Sequence, residues 1–260
     1  MKRQPDVLLG NEKHDIVDMT AVSCHKIILS SKNRKKVVLV DTITDTVLSD
    51  IVLKAQPRFI CMTGSQQAAT TLDNNKIQFI KVNDTLLIDD SILDVDVDVF
   101  GIAPHNNNIV VSYSAPPGVQ IISKIGTVIH KIDNTTAGRE MFNKPRYIAT
   151  TSDGSIYVTD WETNKIIRLD ATLTILHTFA WPILGRPHGI FSMNRDQLLV
   201  CNKQKNNIVL IEPSKSSMTV ILVKQHGVEK PCSICFCMEQ KKLYVAPYNV
   251  TSSILVYKLP

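Results

Sequence analysis

"KPRYIATTSDGSIYVTDWETNKIIRLD", residues 144–170, holds three short apolar runs, PRYI, SIYV and IIRL, separated by polar turns. Its carboxylates pose a choice. Asp153, Asp160 and Asp170 are either a metal or acid/base set or the punctuation of a unit that repeats, and the rest of the chain decides between the two.

The SIYV run recurs as KIIL, QAAT, NIVV, QLLV and KLYV, with anchors at Ile27, Ala68, Ile109, Ile156, Leu198 and Leu243 that lie 41, 41, 47, 42 and 45 residues apart. A further run follows each anchor after about ten residues: VVLV, IQFI, VQII, IIRL, IVLI and ILVY. Another precedes it, opened in four units by proline in PRFI, PRYI, PHGI and PCSI. Proline suits the first residue of a strand, where its missing N–H breaks no ladder bond. A weaker fourth run, such as TVLSDIVL or MTVILV, closes most units. Four short strands per unit of just over 40 residues, six times over, predict an all-β, six-bladed β-propeller. The inner runs are apolar throughout, as strands buried on both faces by neighbouring blades require, whereas a sandwich with one wet face alternates.

The blades are expected at about 14–55, 56–97, 98–140, 144–182, 186–226 and 230–260, one domain spanning residues 1–260. The sixth unit lacks an outer strand, and PDVLLG at 5–10 is an orphan, so the N-terminal strand is predicted to complete the last blade and close the ring. Closure removes the exposed edge of an open stack. In this frame the three aspartates become punctuation. Asp153 sits in the first turn, Asp160 and Asn164 bracket the next loop as Asn202 and Asn206 do one unit later, and Asp170 matches Asp41 in the last turn; short polar side chains there cap loop amides.

A net charge of +5 on 260 residues, with 44% apolar residues, describes a folded chain with a modest basic excess. The start of the chain carries no apolar run long enough for a signal peptide, and a cytoplasmic protein with reduced cysteines is expected.

The order Pro-x-x-Ile, Asp-Gly-x-Ile-Tyr-Val-x-Asp, Asn-x-Ile-x-x-Leu in residues 145–169 resembles the NHL repeat, the six-bladed propeller module at the C-terminus of tripartite-motif (TRIM-NHL) ubiquitin ligases and related RNA regulators. The likeness is good in the fourth unit, moderate in the fifth and sixth and loose in the first three. It implies a recognition domain. It does not imply ligase chemistry in this chain, because six Cys with one C-x2-C pair cannot supply a RING.

Strand-entry loops and second-to-third-strand loops of a propeller share one face. They bring Lys54, Arg58, Lys144, Arg146, Arg186, His188 and Lys230 together with Arg34, Lys35 and Lys203, and add Tyr113, Trp161 and Tyr248. This basic, aromatic face is the expected ligand site. A protein partner or acidic peptide suits it, as does single-stranded RNA, which is held by cations and stacking platforms. The structural alternative is that the cations are solvated and the rings cover blade seams.

A calcium-dependent lactonase or esterase is the enzymatic alternative, since six-bladed propellers host such centres. It would need carboxylates converging from several inner strands, and the entries QPRF, KPRY, RPHG and KPCS are basic or apolar, leaving Asp18 and Asp98. "DVDVD" at 94–98 opens like a calcium loop but has Val99 where glycine is needed and His105 where glutamate is needed. No cofactor, metal or catalytic residue is expected, and no membrane association.

Overall fold

The computed structural model describes residues 1–135, 138, 140–194 and 196–259. Blade 6 begins with the N-terminal strand β1 (Lys2–Leu8). Blade 1 then holds β2 (His14–Ser23), β3 (Lys26–Ser31), β4 (Lys36–Asp41) and β5 (Thr46–Val52), and blade 2 holds β6 (Pro57–Gly64), β7 (Gln67–Leu72), β8 (Lys76–Val82) and β9 (Leu87–Asp94). Blade 3 is β10 (Val99–His105), β11 (Asn108–Ser114), β12 (Pro117–Ile122) and β13 (Val128–Asp133). Blade 4 is β14 (Pro145–Thr150), β15 (Ile156–Asp160), β16 (Lys165–Leu169) and β17 (Ile175–Phe179). Blade 5 is β18 (Pro187–Asn194), β19 (Gln197–Asn202), β20 (Asn207–Glu212) and β21 (Ser217–Leu222). Blade 6 returns as β22 (Pro231–Cys237), β23 (Lys242–Pro247) and β25 (Ser253–Lys258), with the short β24 (Val250–Thr251) lying between the last two in sequence. The six sheets form a six-bladed β-propeller, with β2, β6, β10, β14, β18 and β22 touching in turn around the centre.

Burial follows strand order. The second strand of blade 1 is buried over five consecutive residues, while its outermost strand is mostly exposed. Seams between blades fill with aliphatic side chains, such as Ile28, Leu39, Ile60, Ala68 and Ile80 between blades 1 and 2. Each leucine or isoleucine among them contributes roughly 1.5–3 kcal/mol on burial. All four proline-led runs begin an inner strand at the proline itself.

Ring closure follows the predicted route with a shifted boundary. β1 pairs antiparallel with β25 as the outer strand of blade 6, and it starts at Lys2, three residues ahead of PDVLLG, because Lys2, Arg3 and Gln4 pair with Lys258, Tyr257 and Val256 before a bulge. Polar residues are tolerated there because an outer strand is wet. A second clasp had no sequence signal: β24 leaves the loop of blade 6 and pairs with the start of β2, His14 opposite Thr251.

The three aspartates of residues 144–170 punctuate the blade. Asp170 accepts N–H bonds from Thr172 and Thr174, both at 2.8 Å, as Asp41 does from Ile43 and Thr44. Asp153 caps the first turn through Thr151 and the Ser155 amide. Asp160 is fully buried and accepts from the amides of Asn143 (2.6 Å) and Lys144 (3.2 Å), pinning the entry loop of its own blade. Asn202 does the same for Gly185, and Asp73 for Gln56. The left-handed residues Asn164 and Asn206 reach onward, accepting from the amides of Arg186 and Lys230 in the next blade.

Candidate recognition face

Those contacts place the strand-entry loops and the second-to-third-strand loops on one face, called upper here. Backbone bonds tie the two sets directly, Trp161 N to Lys144 O, Gln204 N to Gly185 O and Tyr248 N to Lys230 O.

Every inner strand carries a register irregularity near its start, between Pro57 and Ile60, Val99 and Ile102, Pro145 and Ile148, Pro187 and Ile190, Ile16 and Asp18, and Pro231 and Ser233. Bulges re-aim side chains and bend strands. Two successive residues of each blade stand at these breaks, the first towards the upper mouth and the second deeper in the channel. The first set is Val17, Arg58, Phe100, Arg146, His188 and Cys232; the second is Asp18, Phe59, Gly101, Tyr147, Gly189 and Ser233.

Hydroxyls on second strands hold this ring in place. Ser30 donates to Arg58 O at 2.6 Å, Thr71 to Phe100 O at 2.6 Å and Ser112 to Arg146 O at 2.9 Å, each crossing to the next blade. A Cβ on Gly101 would meet Arg146 O at 1.8 Å, so only glycine permits that approach of blades 3 and 4.

In the second set Tyr147 crosses the channel from blade 4. Its hydroxyl donates to Val17 O of blade 1 at 2.9 Å and lies 3.0 Å from Cys232 Sγ of blade 6, while its ring meets Phe59 edge-on at 4.4 Å. This bar divides the channel. Phe59 lines the cavities on both sides of it.

Above the bar lies a cavity of about 420 Å³ walled by Asp15, Lys32, Arg58, Asp73, Arg146 and Tyr248 among others. Its rim is a run of alternating cations and rings. Arg58 lies 4.2 Å from the Phe100 centroid and Arg146 4.4 Å from the same ring; Arg146 and Arg186 lie 5.3 and 5.2 Å from the Trp161 centroid, and Lys203 sits 2.9 Å over Tyr248. His188 lies within ring contact of Tyr147, Trp161 and Tyr248. Cation–π pairs contribute about 0.5–2 kcal/mol each, most where water is excluded.

Cations outnumber carboxylates at this rim, where Asp15 and Asp73 share the cavity wall. Arg58 is matched by Asp98 at 2.5 Å and Lys144 by Glu162 at 3.0 Å. Among the described residues Arg146, Arg186 and Lys203 make no ion pair. Burial, followed by Lys203, Arg146 and Arg186, depresses the pKa of His188 to about 3, so its imidazole is neutral at pH 7. Burial and neighbouring cations also lower the pKa of Lys203 and of Arg146. Two buried donor-capable atoms, His188 Nε2 and Trp161 Nε1, have no hydrogen-bond partner. Unmatched cations and unpaired donors at one rim are suited to an anionic, hydrogen-bond-accepting ligand.

Of the thirteen residues predicted for this face, Arg58, Lys144, Arg146, Trp161, Arg186, His188, Lys203 and Tyr248 converge at the rim, Lys144 lying 5.4 Å from the Trp161 centroid. Arg34, Lys35, Lys54 and Lys230 stand on the same loops, all exposed, with Lys35 and Lys230 in the left-handed region. Tyr113 does not belong. It is fully buried inside blade 3, its hydroxyl donating to Asp133 at 3.3 Å, because β11 runs on through Ser114 and Gly118 opposite leaves room for the ring. Phe100, which stacks two arginines, was missed because its strand starts without proline and its run, VFGI, follows the acidic DVDVD segment. Within that segment Asp98 is the counter-charge of Arg58, and Asp94 pairs with Lys76. Among the described residues no helix is long and apolar enough to cross a membrane.

The geometry defines a six-bladed β-propeller with a plugged channel and a cationic, aromatic upper rim. No family model matches the chain. Residues over 44% of it are 22% identical to the E3 ubiquitin-protein ligase TRIM56 of Mus musculus, a stretch of 116 residues that spans 16% of that protein's length. Among solved structures, the chain is similar in fold to virginiamycin B lyase from Staphylococcus aureus, with a TM-score of 0.70 at 17% identity over 99% of this chain and 88% of that one. It is likewise similar to a streptogramin B lyase, at 0.68 and 14% over 97% and 96%, and to the Cps50 (Swd1) β-propeller of Myceliophteria thermophila, at 0.67 and 12% over 94% and 84%. At these identities the likeness speaks to the fold alone.

Proposed function

We propose that this propeller is a non-catalytic recognition module whose upper rim binds an acidic segment of a protein partner. The observation that carries the reading is the set Arg146, Arg186 and Lys203, three cations packed on aromatic rings around a neutral His188 with no carboxylate of their own. A Glu or Asp side chain supplies the missing charge, and the guanidinium groups offer charge-assisted hydrogen bonds to its oxygens. Flanking apolar residues of the partner have the Trp161 and Tyr248 faces to pack on.

The likeness to TRIM56 supports a role in choosing substrates for ubiquitin transfer, with the ligase chemistry residing in a RING elsewhere. A lactonase-type centre receives less support. Asp98 is held by Arg58 at the upper rim, whereas Asp18 bonds Ser233 and Ile60 and faces the other side of the Tyr147 bar, so the two carboxylates do not converge.

The test is binding of a labelled Glu-rich peptide and a labelled single-stranded RNA pool across a salt series, to the parent chain and to the Arg146→Glu/Arg186→Glu variant. Saturable peptide binding that weakens with salt and is lost in the variant is the expected result. RNA bound more tightly than peptide, with the same loss in the variant and a steep salt slope, would replace the protein reading by the nucleic-acid one.

A further inference from the structure

Below the Tyr147 bar the channel opens into a second chamber of about 230 Å³, lined by all six inner strands. Its wall is mostly apolar, formed by Met19, Phe59, Ile102, Ile148, Ile190 and Ile234 among others, with Thr20, Thr150 and Ser192 also lining it. Among the described residues Asp18 is the one carboxylate that lines it. Ser233 Oγ donates to Oδ1 at 2.7 Å and the Ile60 N–H to Oδ2 at 3.1 Å, and the Met19 N–H is also directed at the carboxylate, which fixes its orientation and leaves at least one of its roughly four lone-pair sites free.

No cation neutralises this group: among the described residues Asp18 makes no ion pair. The titratable groups around it are Cys61 of β6, Tyr147 of β14, Cys201 of β19, and Cys232 and Cys235 of β22, and burial raises the pKa of every one, so all are neutral. Lys124 lies nearby on the lower side, but its ammonium is engaged by Thr63 O at 3.0 Å and Gln67 Oε1 at 2.9 Å. Burial pushes the Asp18 pKa up to about 7. An isolated carboxylate in an apolar wall is costly unless something pairs with it.

We propose that the lower chamber binds a small primary amine with a single-ring or short alkyl body, its ammonium on Asp18 and its apolar part against Met19, Met62 and the isoleucines. The size fits. A dry cavity of about 150 Å³ holds benzene, so this one takes a ring with a short aminoalkyl arm. An apolar pocket with one oriented polar group is also how small-molecule sites are commonly built. The amine site lies on the opposite side of the bar from the recognition rim, so its failure would leave that reading untouched.

The experiment is a titration of the full chain, carrying ¹³C-methyl methionine, with phenethylamine, 2-phenylethanol and 3-phenylpropionate. Phenethylamine is expected to shift the Met19 and Met62 methyl signals saturably while leaving the exposed Met238 unmoved. The alcohol is expected to bind at least about tenfold more weakly, the lower bound for losing a charge-assisted hydrogen bond, and the acid not at all. Asp18→Asn, which keeps the shape and can still bond Ser233 and Ile60, is expected to bring the amine down to the alcohol's affinity. In the parent, amine affinity is expected to fall as pH drops below about 7 and Asp18 takes up its proton. The pH series needs no variant. Absence of Met19 and Met62 shifts, equal binding of amine and alcohol, or a flat pH profile would each overturn the proposal.

Discussion

Above Tyr147 the channel mouth is ringed by arginine and lysine stacked on aromatic rings, whereas below it a single carboxylate stands among methionine and isoleucine. Both ends are made by the same six strands, displaced by a few residues. The difference lies in which positions the repeat constrains. The residue four from each strand start, Ile60, Ile102, Ile148, Ile190 and Ile234, is the same in five blades because it packs the core. The residue just inside the start reads Val17, Arg58, Phe100, Arg146, His188 and Cys232, because the bulge turns it to the channel mouth, where packing makes no demand. Chemistry accumulates where the repeat is silent.

The bar between the two ends is the first place to break this comparison. Tyr147→Ala removes a buried ring that spans blades 4 and 1, and a loss of about 3–5 kcal/mol is expected from urea unfolding. Tyr147→Phe keeps the ring and forfeits the hydroxyl's contacts with Val17 O and Cys232 Sγ, at a cost of about 1–2 kcal/mol. Equal costs would show that the hydroxyl, not the ring, holds the channel.

The lower end is tested by pH. The Asp18 pKa of about 7 in the folded chain lies above its ordinary 3.8, so the folded state binds the extra proton between those values. The stability of the parent is therefore greatest, as far as Asp18 is concerned, below about pH 4 and declines as pH rises towards 7. Asp18→Asn is expected to remove that decline, gaining on the parent at pH 8 relative to pH 4 when the two are compared by thermal unfolding. A constant difference between them would place the titration elsewhere.

Two smaller effects sharpen the upper end. Tyr113→Phe is expected to cost about 0.5–1.5 kcal/mol, through loss of its bond to Asp133, and to leave the affinity for the labelled Glu-rich peptide unchanged. Lys54→Ala, on an exposed loop away from the ring contacts, is expected to stay within about 0.5 kcal/mol of the parent in chemical unfolding.

The scaffold was legible in the sequence because its causes are local and repeated. Apolar runs, prolines at strand starts and Asp or Asn at loop ends each follow from one blade's own hydrogen bonds, so six copies reinforce one another. Ring closure was legible for a related reason: an unpaired edge in the sixth unit demanded a strand, and only the N-terminal segment was left over. The clasp of β24 on β2 joins segments from opposite ends of the chain, His14 with Thr251 and Asp15 with Val250, and left no pattern.

The rim was legible only in part. Arg58, Arg146 and Arg186 follow or precede the strand-opening proline and could be placed from it. Phe100 lacked that marker, and Tyr113 looked like a loop aromatic because the end of β11 is set by pairing with β12, which composition does not reveal. The role of Tyr147 was invisible, since a tyrosine in a buried run reads as core until its hydroxyl is seen reaching across to Val17.

The most direct test of the rim uses its own indole. With Trp181→Phe as background, Trp161 is the chain's remaining tryptophan, and its emission reports on Arg146, Arg186 and Lys144 stacked around it. Titration with a Glu-rich peptide is predicted to change that emission saturably, and the change is predicted to vanish in Arg186→Gln. An emission that stays constant while the peptide binds, or a response that Arg186→Gln leaves intact, would contradict the assignment of recognition to the upper rim.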